Sequence, residues 1–180
     1  TSIPVSDNSL LITPQQNLVI SLRAGKRIFK RITVQGEFAS TAFTKDTRAQ
    51  KSNNHQLSIA SPMFEPRLST SYHRAFKTTL NYHHDGVVVG LAHERIDPGY
   101  RTLGAYYFNT DLENFTINAS LPLWNGKTNI AVSAGLQHDN VDKAKVSTMR
   151  RIDNSMNMTY TPSQKLNITA SWSTFQTYTN

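Results

Sequence analysis

Apolar and polar residues alternate strictly along most of the second half of the chain. After Asn114, apolar side chains stand at every second position from Phe115 to Leu121, and polar ones stand between them. The same period continues in "NIAVSAGLQ", "RIDNSMNMTY" and "KLNITASW". A period of two is that of a β-strand, whose successive side chains point to opposite faces. The pattern predicts a sheet that separates two different media.

The alternating segments pair into four predicted hairpins. The turns between their strands are expected in "RIFK", "HHDG", "WNGK" and "TPSQK". Asp-Gly and Asn-Gly favour hairpin turns because both residues tolerate positive φ. No long stretch has a helical period with caps at both ends. The predicted fold is all-β, an antiparallel up-and-down meander of about eight long strands. It forms a single region over residues 1–180, with a loop at 1–16 and hairpins at 17–42, 71–96, 114–138 and 149–178.

Short and long connections alternate along this meander. The short turns lie near 27–30, 83–86, 122–128 and 161–165, and the long segments are 43–70, 97–113 and 138–148. Strands of about ten residues with short turns at one end and long loops at the other are typical of outer-membrane barrels. The sequence therefore predicts a transmembrane β-barrel. Strand parity places both ends of the chain on the long-loop side, and its end "FQTYTN" lacks a terminal aromatic residue. We therefore expect a segment of a larger barrel.

The composition fits a hydrated barrel interior. Only 17% of the residues are charged, although the net charge is +7. The polar positions of the strands carry mostly hydroxyls and amides, whereas the solvent-facing side of a soluble sandwich normally carries more lysine and glutamate. Aromatic residues flank the apolar positions as two predicted girdles. They are Tyr82, Trp124 and Tyr160 beside the short turns, and Tyr72, Tyr100, Tyr106, Tyr107, Phe108, Phe175 and Tyr178 towards the long loops.

No motif for bond chemistry stands out. The chain has no cysteine, which excludes thiolate metal sites and a cysteine nucleophile. His83, His84 and Asp85, with His73 nearby, have metal-ligand chemistry, but adjacent residues on a strand point apart, and a polar turn is the favoured interpretation. A hydrolase barrel would need a histidine and a serine on the outer face of adjacent strands. We predict no catalytic, cofactor or metal residues, and therefore no enzyme.

Basic residues cluster at the first short turn. Lys26, Arg27, Lys30 and Arg31 form the tightest group of positive charge. Nucleic-acid modules normally combine such a group with exposed aromatics or a recognisable motif, and neither is present. At a short turn of a barrel these cations would meet headgroup phosphates. The prediction is contact with lipid and no nucleic acid.

The stretch "HERIDPGYRTLGAYYFNTDLEN" carries the densest chemistry and is predicted to be a long connection between two hairpins. Asp97-Pro98-Gly99 is expected to turn the chain. Residues 106–108 are expected either to join a girdle or to fold the loop over the lumen. Arg95, Arg101, Asp97, Asp111 and Glu113 are expected to pair within the loop. The candidate loop or lumen binding residues are Arg95, Asp97, Tyr100, Arg101, Tyr106, Tyr107 and Asp111.

Several segments resemble a known class. "RIDPGYRTLGAYYFNTDLEN" is the most specific, and "GEFASTAFTKDTR" and "NMTYTPSQKLNITASWSTFQTYTN" share the resemblance. They are similar to large outer-membrane β-barrel proteins of Bacteroidota, of the TonB-receptor-like or secretion-associated kind. The resemblance covers most of residues 31–180. It implies an outer-membrane location and more strands than this chain contains, and it carries over no catalytic residues.

The expected function is therefore transport, docking or envelope assembly in the bacterial outer membrane, without catalysis. The expected partners are the lipid bilayer with its lipopolysaccharide outer leaflet, and other envelope proteins in a complex. No cofactor is expected. The alternative is a soluble all-β surface domain, such as an adhesin-like sandwich whose long loops bind glycans.

Overall fold

A computed structural model describes residues 13–52, 63–104 and 109–180. Eight β-strands follow one another in a single antiparallel sheet with the order β1 to β8. The strands are β1 (Gln16–Ile28), β2 (Ile32–Thr44), β3 (Thr70–His84), β4 (Val87–Ile96), β5 (Leu112–Leu123), β6 (Thr128–His138), β7 (Met149–Ser163) and β8 (Leu166–Thr179). The predicted all-β meander of eight antiparallel strands is confirmed. Among the described residues β1 and β8 do not pair, so these strands form an open sheet and no closed barrel.

Tight turns connect the strands at one end of the sheet. Asp85 and Gly86 link β3 to β4 with φ of 47° and 81°, as the Asp-Gly signal predicts. Phe29 and Lys30 also adopt positive φ between β1 and β2. Trp124 to Gly126 do so between β5 and β6. Positive φ at the central residues matches the right-handed twist of the paired strands, which is why these short links hold the hairpins together.

The strand register divides the side chains into two faces. Residues opposite each other on neighbouring strands share a face. Ser133 on β6 stands between Asn118 on β5 and Ser155 on β7, and its neighbour Val132 stands between Ala119 and Met156. We call the side of Ser133 the polar face and the side of Val132 the apolar face. The hydroxyl and amide positions predicted from the alternation lie on the polar face, together with a few charged residues, Arg23, Glu37, Lys77, Glu94 and Asp153.

The buried part of the molecule lies mainly where the loops meet the sheet. Among the described residues, the buried apolar side chains are Ala42, Phe43, Phe64 and Tyr100. All of them belong to the long-loop end of β2 or to the long connections. The accessible surface is 13225 Å². A folded monomer of this mass would expose about 8,800 Å². Within the described residues, the body of the sheet contributes no buried apolar core, and much of its apolar face is exposed.

Candidate functional site at the long-loop end

The three long connections lie at one end of the sheet, because each follows an even-numbered strand of an antiparallel meander. They comprise residues 45–69, 97–111 and 139–148. All the sequence-predicted site residues belong to the second connection or to the strand end that precedes it. Tyr106 and Tyr107 lie outside the described residues. We call residues 97–104 the cap loop.

The cap loop starts with a turn held against β3. The backbone N–H of Asp97 donates to the Arg74 carbonyl at 2.9 Å, and the Arg74 N–H donates to Asp97 Oδ2 at 2.9 Å. The N–H of Tyr100 donates to the Asp97 carbonyl at 3.2 Å, which closes the turn. Gly99 has a φ of 73°, and a Cβ atom there would lie 3.2 Å from the His73 ring. Glycine therefore meets two needs, positive φ and close approach to β3.

Beyond this turn the cap loop lies across the polar face of β1 to β3. The Thr41 hydroxyl donates to the Arg101 carbonyl at 2.7 Å, and the Leu103 N–H donates to Asn17 Oδ1 at 3.2 Å. The Arg101 guanidinium stands 5.2 Å from the centre of the Phe43 ring. Asn17, Thr41 and Phe43 belong to the polar face by register. The loop thus covers the end of the polar face.

Tyr100 is the buried centre of this cap. Only 4% of it is exposed, and burial raises the pKa of its phenol above the ordinary value of 10.0. Tyr100 and Phe175, two residues assigned to the loop-side girdle from the sequence, both lie on the polar side of the sheet. They are therefore not part of a girdle on the apolar face. Tyr178 stands on the apolar face, because its register partner on β7 is Arg150, which lies on that face.

A second cluster joins the second long connection, which contains the cap loop, to the third long connection. Asp111 Oδ1 accepts the Val141 N–H at 2.8 Å, and the Lys145 ammonium pairs with the same carboxylate. Lys145 also bridges to Asp139 at 3.0 Å, and Asp139 accepts the Met149 N–H at 2.7 Å. We call Asp111, Asp139 and Lys145 the loop knot.

Burial raises the pKa of the Asp111 carboxyl, but its hydrogen bonds from Lys145 and from backbone N–H groups outweigh burial. The net effect lowers that pKa below its ordinary 3.8. Burial and hydrogen bonds oppose each other in the same way at Asp139, and the pKa there is also lowered. The hydrogen bonds to Asp111 and Asp139 raise the pKa of the Lys145 ammonium. The knot is therefore ionised at neutral pH.

The predicted site residues separate into three places. Tyr100 and Arg101 lie over the polar face, whereas Arg95 stands on the apolar face and Asp111 in the loop knot. Arg95 pairs with Asp97 at 3.8 Å, as expected within the loop. In the structure, Asp111 and Glu113 have partners other than those expected within the loop. Asp111 pairs with Lys145, and Glu113 pairs with two histidines.

The histidine pair around Glu113 was missed by sequence reasoning. His93 Nε2 lies 2.9 Å from Glu113 Oε1, and His138 Nε2 lies 3.2 Å from Oε2. The His93 ring stacks on Phe115 at 4.2 Å between centroids. Only the register of β4, β5 and β6 brings these residues together, so sequence spacing gives no hint of them. The cluster links three strands at the loop-side border of the apolar face.

The histidines and Asp85 that have metal-ligand chemistry lie in two places. His84 and Asp85 lie 3.3 Å apart in an exposed turn, while His73 lies at the other end of β3. Within the part of the chain that the structure describes, no group of three or more His, Asp or Glu side chains is placed to hold a metal ion. Across the same ranges, no helix has the length and hydropathy of a membrane span.

Comparison with known proteins gives no identification. No protein-family model matches the chain, and no curated protein matches it.

Proposed function

We propose that the chain is a segment of a β-barrel in the bacterial outer membrane. Its apolar face contacts lipid and its polar face lines an aqueous lumen that the cap loop narrows. The segment serves the passage or docking of substrates, or the assembly of envelope components, and carries out no bond chemistry. Its partners are the bilayer with its lipopolysaccharide leaflet and other envelope proteins. The Bacteroidota-type resemblance of the sequence is consistent with this proposal.

One observation carries the proposal: in β4, β5 and β6 the large side chains of the apolar face are more exposed than most of their polar-face neighbours. In β5, Phe115 is 49% and Ile117 is 51% exposed, whereas their polar-face neighbours Asn114, Thr116 and Asn118 are only partly exposed. A soluble sheet shows the reverse, because it buries its apolar side against a second layer. An uncovered apolar surface extending over eight strands requires an apolar environment.

The height of the apolar face supports lipid as that environment. The apolar positions of β5 run from Phe115 to Leu123. This length is about 27 Å along a strand at about 3.4 Å per residue, and about 21 Å across a membrane at about 40° tilt. The lipid-facing band of barrels is about 25 Å tall. Ionisable residues on this face occur at its borders, such as Lys26 near the turns and Arg95 and Arg150 near the loops.

The open edges of the sheet support a larger barrel. β1 and β8 are 13 and 14 residues long, and each has one side without a neighbouring strand in the described structure. Unpaired backbone groups are costly in a bilayer, since no water is present to satisfy them. We infer that further strands cover both edges.

The test is extraction and gel electrophoresis of the protein that carries this chain. A barrel is expected to require detergent for extraction and to migrate differently when heated before electrophoresis. A monomer that stays soluble without detergent would contradict the proposal and favour the adhesin-like surface domain.

A further inference from the structure

A cavity lies directly beneath the cap loop on the polar face. Its volume is about 460 Å³, and Tyr100 forms its roof. The floor under Tyr100 is Ala39 and Ala75, which face each other across β2 and β3. Ile96 stands opposite Ala75, and Val19 also lines the cavity. These residues are among the apolar residues of a face that otherwise carries mainly hydroxyls, amides and charges. Because Ala39 and Ala75 have small side chains, space remains between them and Tyr100.

The opposite side of the cavity is charged. Glu37, Lys77 and Glu94 line it and stand side by side on β2, β3 and β4. Neighbouring strands lie about 4.8 Å apart, so the three charged groups are within reach of one small molecule. Lys77 Nζ and Glu94 Oε2 are 4.0 Å apart, a loose and partly exposed pair. Glu37 makes no ion pair within 4.0 Å among the described residues, although Arg23 stands opposite it on β1.

We propose that this cavity binds a small zwitterion with an apolar side chain, of the size of an apolar amino acid or a dipeptide. Glu37 accepts the ammonium group and Lys77 pairs with the carboxylate. The apolar side chain lies under Tyr100 against Ala39 and Ala75. The inference rests on the proposed function, because it needs the polar face to be reached by water and solutes.

The chemistry of the cavity selects this ligand class. The charged side offers both signs, so a zwitterion can place its ammonium group at Glu37 and its carboxylate at Lys77. A fully hydrophilic solute would leave the apolar floor uncovered. The cavity volume is in the lower part of the range for small-molecule pockets, so ligands much longer than a dipeptide do not fit under Tyr100.

The inference is tested by isothermal titration of the detergent-solubilised protein with leucyl-leucine. N-acetyl-leucine amide, which has the apolar side chain and no charge, is the ligand control. Lys77→Met and Glu37→Gln are each expected to weaken binding at least tenfold. Lys127→Met removes the same positive charge from the remote β5–β6 turn and is expected to leave binding unchanged. Tyr100→Ala is expected to weaken the binding of both leucyl-leucine and leucine.

Circular dichroism and heat-dependent migration identify variants that remain folded. Equal binding of the uncharged analogue, or no binding by folded wild-type protein, would overturn the inference. The inference would also be overturned if Lys77→Met and Lys127→Met changed the affinity for leucyl-leucine to the same extent. A detergent-dependent, heat-modifiable protein that binds no zwitterion refutes only this inference. A protein that binds leucyl-leucine in water without detergent refutes only the membrane assignment.

Discussion

Val132 and Ser133 are neighbours on β6 whose side chains lie on opposite faces. This makes them a matched pair for testing what each face contacts. If Val132 faces mid-bilayer lipid, Val132→Arg should destabilise the fold by roughly 2–4 kcal/mol. Ser133→Arg should cost less, since its guanidinium remains in the hydrated lumen, and should alter conductance instead. Urea unfolding in lipid vesicles measures the loss of stability in both variants. Equal penalties on the two faces would exclude the lumen assignment.

The loop knot gives a residue-scale prediction about pH. The pKa values of Asp111 and Asp139 are lowered on folding, so their stabilisation is complete above the ordinary value near 3.8 and is lost as pH falls through the folded values. Lys145 has a raised pKa, so its contribution is lost only at strongly basic pH. Hydrogen-exchange protection at Val141 and Met149 should therefore hold at neutral pH and fall in acid.

Substitutions in the same loop sharpen this test. Lys145→Gln should lower protection at Val141 and Met149 at pH 7, because it removes the ammonium that joins Asp111 to Asp139. Lys143→Gln is the matched control, since Lys143 is exposed in the same loop and outside the knot. Similar losses in the two variants would show that the loop responds to net charge alone.

At the scale of the element, the turns differ in what surrounds their glycines. Gly86 and Gly126 both have a φ of 81°. A Cβ at Gly86 would lie 2.9 Å from Pro122 Cγ in the neighbouring hairpin, whereas one at Gly126 would have no atom within 4 Å. Gly126→Ala should cost about 1–2 kcal/mol for the left-handed backbone, and Gly86→Ala should cost more because the rigid Pro122 ring must also shift. Denaturation of both variants should show that order, and the reverse order would mean that the two hairpins do not pack as described.

Sequence determined the strands of this fold far better than its cap loop. Alternation and an Asp-Gly turn are local, so they predicted the meander and the two faces. The cap loop depends on contacts between Leu103 and Asn17, which are 86 residues apart, and between Arg101 and Thr41, which are 60 apart. Charge complementarity within one loop could not identify Lys145 as the partner of Asp111, because only the packing of two loops brings them together.

At the scale of the whole molecule, the eight strands make one two-faced surface whose orientation can be measured. The chain has two tryptophans. Trp172 lies near the middle of β8 on the apolar face and is 56% exposed. Trp124 is 69% exposed in the turn after β5, with its ring 6.0 Å from that of Tyr160. A membrane orientation with the short turns at headgroup level places the two indoles at different depths.

Quenching by brominated lipids should separate these depths. In vesicles, Trp124→Phe leaves only Trp172, whose fluorescence should be quenched most by bromine deep in the acyl chains. Trp172→Phe leaves only Trp124, which should be quenched most by bromine near the headgroups. Both indoles are exposed, so a soluble protein would leave both without lipid quenching, and its fluorescence would respond only to aqueous quenchers. If Trp124 instead proved the deeper of the two, the short turns would not lie at the membrane surface, and the assignment of the apolar face to lipid would fail along with the lumen on the opposite side.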